Sequence, residues 1–310
     1  MTEHRLGPEH THRLNWDNSL PPVVVIEPGD IVHFETPDVS DGQRRPGADP
    51  AASDPSRSYP LGGPVFVTGA EPGDSLLVDI LSFEPLGTGW ASFGPGRGLL
   101  GAEVTAPYVR FFDVSDGGHA RLRDDIWIPI QPFCGTMGVA PAELGPHAVA
   151  PPGPGAGNVD VRHLTAGTRL ELPVLVAGAL FSAGDCHAAQ GDGEVCITGI
   201  ECAMRFSLRF ELEKQSGLRP WRFRFRTAPG SPQPLSDPAG YFATAATGPD
   251  LMENSKNAVR DMIDWLVARH DLSWEDAYIL CSLAGDLRIS EIVDAPNWVV
   301  SFHLSLAVFR

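Results

Sequence analysis

The chain has 310 residues, of which 43% are hydrophobic, and its formal net charge is −16. This length and apolar content are sufficient for one large domain, or for two packed lobes, with a buried core. The negative charge repels phosphate backbones and anionic lipids, so the composition argues against nucleic-acid and membrane-surface functions and favours a small neutral partner.

The first half of the chain predicts short strands joined by tight turns. Gly (33 residues) and Pro (29 residues) occur throughout the sequence, and both residue types favour turns. PPVVVIEPGDIVHFET, from Pro21 to Thr36, is typical of a strand, a turn and a second strand, and GPVFVTGAEPGDSLLVDIL repeats the pattern. The two E-P-G-D copies, 44 residues apart, are either a duplicated β unit or two ordinary turns, because this tetrapeptide suits a turn.

The rest of the chain predicts a loop, further strands and two late helices. Residues 41–60 are polar and proline-rich, which predicts a loop. MRFSLRFELE alternates apolar and charged residues, as in a half-exposed antiparallel strand. Apolar residues at helical spacing predict one helix over about 253–270, and Ser273 with Asp276 predicts the start of a second that ends near Ala284. The expected organisation is a single unit over 1–310, or two packed lobes of about 1–215 (β-rich) and about 216–310 (α+β).

The cysteine pattern predicts a reduced, cytoplasmic protein. The five cysteines include no C-x-x-C, the start of the sequence has no apolar segment typical of a signal peptide, and no apolar run approaches the ~20 residues of a membrane span. We therefore expect the cysteines to be small core residues, and Cys134 to be a nucleophile only if a base lies beside it.

Polar groups are concentrated in one segment, GDCHAAQGDGE, which lies between two apolar runs. Charged groups beside a core must be paired or bound to a metal. In an extended segment Asp185 and His187 project from the same face, as do Asp192 and Glu194. An Asp-x-His pair offers oxygen and nitrogen ligands to Zn²⁺ or a similar ion. The alternative is an exposed hairpin loop with a surface salt bridge.

A second polar cluster offers partners for this segment. Asn158 and Asp160 share one face of an extended chain, with His163 close behind, and Glu201 follows the apolar run ITGI. These side chains could complete a coordination sphere. Equally, Asn158 and Asp160 could be turn formers, and Glu201 could pair with an arginine. His12, in the polar leader, could fold back over a site.

The sequence resembles the acetamidase/formamidase family. The string GNVDVRHLTAGTRLELPVLVAGALFSAGDCHAAQGDGEV resembles the family's hallmark segment, and PPVVVIEPGDIVHFETPDVSDGQ, FCGTMGVAP and the C-terminal region match in order. The resemblance implies a mainly β, sandwich-like fold with a C-terminal α+β portion, a homo-oligomer, and hydrolysis of a short aliphatic carboxamide to carboxylate and ammonia. The motif residues carried over by position are Asn158, Asp160, Asp185, His187, Gln190, Asp192, Glu194 and Glu201.

The resemblance, together with the absence of a G-x-S-x-G motif, favours a metal-activated water as the nucleophile. The hypothesis is a divalent ion, zinc, with Glu194 moving the proton from water to ammonia, Asp192 as a second catalytic carboxylate, and Asn158 or Gln190 orienting the amide. The proposed metal ligands are Asp160, Asp185, His187 and Glu201. The alternatives are a non-catalytic β-sandwich that binds a metal or small ligand, and a family member that has drifted to another amide or ester.

Overall fold

A computed structural model describes residues 1–49, 52–228, 237–293 and 295–310. Strands predominate, and the only two α-helices of this described part lie near the C-terminus, α1 (Leu251–His270) and α2 (Trp274–Ala284). The strands are β1 (Glu3–Leu6), β2 (Thr11–Arg13), β3 (Asn15–Trp16), β4 (Val24–Ile26), β5 (Ile31–Thr36), β6 (Pro60–Val67), β7 (Ser75–Phe93), β8 (Tyr108–Asp113), β9 (His119–Arg123), β10 (Ile126–Pro129), β11 (Phe133–Val139), β12 (His147–Ala148), β13 (Ala156–Asn158), β14 (Arg169–Pro173), β15 (Phe181–His187), β16 (Glu201–Glu213), β17 (Arg224–Arg226), β18 (Tyr241–Gly248), β19 (Gly285–Glu291) and β20 (Trp298–Ser305).

The chain forms two compact units, and neither is continuous in sequence. The first contains the described residues of Met1–Gly89, Pro132–His187 and Glu201–Ser231. The second contains those of Trp90–Gln131, Ala188–Ile200 and Pro232–Arg310. Two segments placed by the sequence in the β-rich N-terminal part, 90–131 and 188–200, therefore belong to the unit that carries the helices.

The first unit is built on a large sheet in which β13, β11, β15, β16, β7, β14 and β17 are successive neighbours. β5 joins β16, and β6 joins β15. Every residue of β11 and β15 is buried. The alternation predicted for MRFSLRFELE is confirmed in β16, where Phe206, Leu208 and Phe210 are buried and Arg205 is exposed.

Both E-P-G-D segments form the same turn in the first unit. The amide of Asp30 donates to the carbonyl of Glu27 at 3.1 Å, and that of Asp74 donates to Glu71 at 3.0 Å. In each turn the Asp side chain accepts from the Glu amide, and the glycine has a positive φ, +96° at Gly29. Glycine is favoured at such a position because it has no Cβ to clash. The predicted turns are confirmed.

The predicted loop between Asp41 and Pro60 has turns and a short 3₁₀ helix (Pro55–Arg57) within its described residues, and residues 50 and 51 lie outside them. Two hydrogen bonds join Gln43 and Asp54, one of them from the Asp54 amide at 2.6 Å. The two described parts of the loop are therefore connected through these residues.

The second unit contains the sheet β18-β20-β19, the hairpin of β9 and β10, and both helices. The predicted helices are confirmed, because α1 buries Val259, Met262, Ile263 and Leu266 against β18 and β20. In α2 the Ser273 side chain accepts from the Asp276 amide, which satisfies a donor that has no partner within the helix. The described part of the chain contains no helix that is both long and apolar enough to cross a membrane.

Candidate active site

Four neighbouring strands of the first unit bring the predicted ligands together. Thr136 of β11 is paired with Asn158 at the end of β13. His187, the last residue of β15, is paired with Phe133 of β11 on one side and with Glu201, the first residue of β16, on the other. The register of one sheet therefore places these polar side chains on neighbouring strands.

The imidazole of His187 is surrounded by three carboxylates. Its Nε2 lies 3.1 Å from Glu201 Oε1 and 3.7 Å from Asp185 Oδ1, and its Nδ1 lies 3.9 Å from Asp160 Oδ1. His187 is 1% exposed, Glu201 2% and Asp185 5%. One ligand atom each from Asp160, Asp185 and His187 lie within 4.8 Å of one another. The structure thus brings the four side chains named as candidate ligands close to one another.

The two aspartates of this cluster have left-handed backbones, with φ +47° at Asp160 and +52° at Asp185. Such conformations are uncommon for residues with a Cβ and persist where the surrounding structure holds them. Asp185 and His187 converge as their i, i+2 spacing predicts, but β15 is not regular at Asp185. The backbone rotation is therefore part of how this carboxylate reaches the imidazole.

The cluster carries excess negative charge in a buried place. The pKa of Glu201 is raised to about 8, because burial and the nearby Asp185 carboxylate outweigh the opposite effect of His187. Burial by itself lowers the pKa of His187, but the carboxylates of Glu201 and Asp185 raise it well above its usual value. A group of three carboxylates around one imidazole is stabilised by bound protons or by a bound cation.

The donor set fits a divalent cation such as zinc. It combines one imidazole nitrogen with carboxylate oxygens, which are the ligands that zinc takes alongside thiolates. Among the described residues, the buried Oε2 of Glu201 has no hydrogen-bond partner, and a buried carboxylate oxygen without a partner is costly unless a proton or cation binds it. Asp160, Asp185, His187 and Glu201 can therefore hold such an ion.

Two further residues of the site were not singled out from the sequence. The Thr136 hydroxyl donates to Asn158 Oδ1 at 2.6 Å and lies 3.2 Å from Asp185 Oδ2. The carbonyl of Gly135 accepts from the amide of Asp160 at 3.1 Å. Both residues lie in FCGTMGVAP, a segment noted for its family resemblance. Nothing in that pattern indicated that these two residues contact the cluster.

The remaining predicted site residues lie in the second unit. Gln190 is buried and Glu194 is half-buried. Asp192 is held by β19, because its amide donates to Asp286 Oδ1 at 3.2 Å, its carbonyl accepts from Leu287, and its carboxylate lies 3.6 Å from Arg288. The segment Ala188–Ile200 is thus anchored within the second unit, while its flanking residues, His187 and Glu201, belong to the cluster in the first unit.

The cysteines are core residues, as expected from the sequence. All five are buried and none forms a disulfide. Cys134 Sγ lies 3.3 Å from Cys186 Sγ, and burial, with Cys186 adding to the effect, raises the pKa of the Cys134 thiol well above its usual value. Since the thiolate is the nucleophilic form, this environment disfavours Cys134 as a nucleophile.

His12 connects strand β2 to β15, the strand that carries Asp185 and His187. Its Nε2 lies 2.8 Å from Ser182 Oγ, and its Nδ1 lies 3.1 Å from the carbonyl oxygen of Asn15. Burial lowers the pKa of His12 from 6.5 to about 4, and the bond to Asn15 only partly offsets this. His12 is therefore neutral near pH 7.

This burial predicts a contribution of His12 to stability that depends on pH. The pKa is lower in the folded state than in the unfolded state, so the unfolded chain binds the additional proton between pH 6.5 and about 4. The contribution of His12 to the free energy of unfolding is therefore complete above pH 6.5 and decreases as the pH falls. When the pH falls from about 7.5 to about 5, the free energy of unfolding of the parent should decrease by about 2 kcal/mol more than that of His12→Gln. Urea unfolding at both pH values measures this difference, with the exposed His119→Gln as control. Equal losses in the parent and His12→Gln would contradict it.

The chain matches one known protein family over nearly its whole length. The model of the Acetamidase/Formamidase family matches residues 3–149 and 142–310, which together span nearly the whole chain. The chain belongs to the acetamidase/formamidase family. The predicted family, and the prediction of a hydrolase that acts on amide C–N bonds, are confirmed.

Two relatives are similar in sequence. The acetamidase of Mycolicibacterium smegmatis is 30% identical over 251 residues, which cover 59% of this chain and 61% of that protein, less than two thirds of its length. The formamidase of Methylophilus methylotrophus is 27% identical over 367 aligned positions, covering 95% of this chain and 88% of that protein.

Two solved structures share the fold. An acetamidase from Bacillus halodurans has 33% identity and a TM-score of 0.68, with 98% of this chain and 97% of that chain covered. A gamma lactamase from Delftia acidovorans has 25% identity and a TM-score of 0.87, with 97% and 89% covered. The predicted mainly β fold with a C-terminal α+β portion is confirmed.

Proposed function

We propose that the chain hydrolyses a short aliphatic carboxamide, such as formamide or acetamide, to carboxylate and ammonia with the help of a divalent cation, zinc. The observation that carries this proposal is the group of Asp160, Asp185 and His187, two of them buried, whose ligand atoms lie within 4.8 Å of one another. The acetamidase and formamidase relatives support the substrate class.

Amide hydrolysis requires an activated water, a grip on the carbonyl oxygen and a proton for the departing nitrogen. A divalent cation, when bound, lowers the pKa of water and polarises a carbonyl. The residues that hold it are Asp160, Asp185, His187 and Glu201. His187 and Glu201 are within 3.1 Å of each other, so each restricts the position of the other. Their burial excludes bulk water, which strengthens electrostatic interactions at the reacting group.

The proton transfers are assigned to Glu194, which follows His187 in the family motif. In this proposal its carboxylate takes a proton from water and returns it to the leaving nitrogen, as a general base and then a general acid. Asp192 is proposed as the second catalytic carboxylate. Its carboxylate is oriented by the guanidinium of Arg288, which lies 3.6 Å away.

Asn158 and Gln190 are proposed to orient the substrate amide. Asn158 Oδ1 accepts from Thr136, and one N–H of its amide donates to the carbonyl of Ala150 at 2.7 Å. An asparagine amide has two N–H donors. The second N–H of Asn158 can therefore donate to the substrate carbonyl oxygen, with the side chain held in place by the two other bonds.

A cyclic amide is the second candidate substrate. The structural similarity to the gamma lactamase from Delftia acidovorans is high, with a TM-score of 0.87. Ring opening of a lactam breaks the same C–N bond as hydrolysis of a linear amide, but it releases an amino acid and no ammonia. The two substrates therefore need different assays.

The test measures ammonia release from formamide, acetamide and propionamide, and amino-acid formation from a γ-lactam. Each substrate is given to protein as purified, after chelator treatment, and after zinc is restored. We expect turnover of at least one linear amide, its loss on chelation and its return with zinc. Turnover that persists after chelator treatment contradicts the proposed dependence on a metal. If the folded, zinc-loaded protein turns over no substrate, a non-catalytic metal- or ligand-binding protein, or a hydrolase of other amides or esters, replaces the proposal.

We also propose that the protein is a homo-oligomer that works in a reducing compartment. The five buried cysteines without disulfides support the second part, and family membership supports the first. Light scattering of the purified chain tests the oligomer, and a monomer at micromolar concentration contradicts it.

A further inference from the structure

The dipeptide Gly135-Thr136 in the middle of β11 contacts the cluster at two different carboxylates. Thr136 is completely buried. Its hydroxyl lies 3.2 Å from Asp185 Oδ2, while the other oxygen of that carboxylate, Oδ1, is the one that lies 3.7 Å from His187 Nε2. One side of the carboxylate thus faces Thr136 and the other side faces the imidazole. A hydroxyl in this position restrains the rotation of the Asp185 carboxylate, so that one oxygen stays directed towards His187.

Thr136 is itself held by Asn158. Its hydroxyl is 2.6 Å from Asn158 Oδ1, and the Asn158 amide is fixed in turn by its bond to the Ala150 carbonyl. The single hydroxyl proton of Thr136 therefore has two acceptors, the Asn158 amide and the Asp185 carboxylate. This arrangement connects a proposed substrate-binding residue to a proposed metal ligand through one buried side chain.

Gly135 makes the space that Asp160 occupies. A Cβ at this position would overlap Asp160 Oδ1 and would lie 2.9 Å from His187 Cε1 and from the carbonyl oxygen of Asp185. The Gly135 carbonyl also accepts from the amides of Val159 and Asp160, both at 3.1 Å. These bonds hold the chain at the point where Asp160 has its left-handed backbone.

We propose that Gly135 and Thr136 are positioning residues that hold Asp160 and Asp185 in place for the divalent cation. Neither residue needs to touch the cation. This inference rests on the proposed function, because it assigns roles relative to the proposed metal ligands. Groups that orient metal ligands are typically worth roughly 10- to 100-fold in metal affinity or activity.

The test is a zinc titration of chelator-treated protein with variants at position 136. Thr136→Val has nearly the same shape but no hydroxyl, and we expect its zinc affinity to fall by roughly 10- to 100-fold. Thr136→Ser keeps the hydroxyl and should stay within ~3-fold of the parent. Zinc per chain after dialysis is the second readout. Since Asn158 loses its bond from Thr136, the KM of Thr136→Val should rise as well.

The matched control is Thr244→Val in the second unit. This substitution removes a hydroxyl that donates a hydrogen bond to the Ala258 carbonyl oxygen at a distance of 2.6 Å. This variant should bind zinc like the parent.

Gly135→Ala is the second test. We expect it to bind zinc more weakly than the parent and to remain folded, as measured by circular dichroism. If the parent binds zinc and Thr136→Val binds it equally tightly with an unchanged KM, the positioning role is wrong and the proposed function still stands. A parent that binds no divalent cation overturns both.

Discussion

The Asp185→Asn variant is expected to bind zinc at least ~100-fold more weakly than the parent and to lose its amide turnover to a similar extent. Asparagine preserves the shape of the side chain but removes one negative charge from the cluster. In the metal-free protein this change relieves repulsion with Glu201 but also removes an interaction that stabilises the protonated His187. We therefore expect the metal-free variant to remain folded, although it holds zinc poorly.

Thermal unfolding with and without zinc measures both effects in one experiment. Zinc that binds only the folded state raises the Tm of the parent by mass action, and we expect most of this increase to be absent in Asp185→Asn. The control is Asp264→Asn, which removes an exposed carboxylate from α1 and should behave like the parent. An Asp185→Asn protein that keeps the full zinc-dependent increase and the parent's turnover excludes Asp185 as a ligand.

The Glu194→Gln variant is expected to keep its zinc and to lose turnover by ~10²- to 10⁴-fold, the usual contribution of a general acid–base group. Glutamine has nearly the same shape as glutamate but cannot accept the proton of the attacking water. The loss should appear in kcat, because the substrate still binds and only the proton transfers fail. This outcome would separate a proton-transfer role from metal binding, which Asp185→Asn tests.

Single-turnover and steady-state rates, together with zinc content, decide this prediction. Glu213→Gln, an exposed glutamate at the end of β16, is the matched control and should retain both activity and zinc. If Glu194→Gln stays nearly as active as the parent, the proton-transfer role is wrong. If it loses its zinc together with its activity, Glu194 is a metal ligand.

Local sequence patterns predicted the secondary structure well where one face of an element is buried. The helical spacing of Val259, Met262 and Leu266 predicted α1, and the strict alternation around Phe206 predicted β16. Ser273 identified the start of α2 because an N-cap needs only the next few residues. The organisation into units could not be read in this way. Residues 188–200 belong to the helix-containing unit through contacts that are distant in sequence, such as the bond from the Asp192 amide to Asp286.

The candidate site was predicted in its composition but not in its construction. The residues in GDCHAAQGDGE and its neighbours are polar groups beside apolar runs, which made Asp160, Asp185, His187 and Glu201 candidates, and the family resemblance favoured them over a surface loop or turn formers. Their contacts with Thr136 and Gly135 could not be predicted, because both are common residue types in a glycine-rich stretch. Their importance comes only from the strands beside them.

The sequence by itself determined the family, the mainly β class, the late helices and the types of polar group at the candidate site, since these depend on residue chemistry and on local periodicity. The tertiary structure decided which atoms meet. The pairing of β11 with β13 and β15 sets Thr136 beside Asn158 and Asp185, and the left-handed backbones at Asp160 and Asp185 turn their carboxylates towards His187. Such pairings and strained conformations are stabilised by the whole sheet, and no local stretch of residues encodes them.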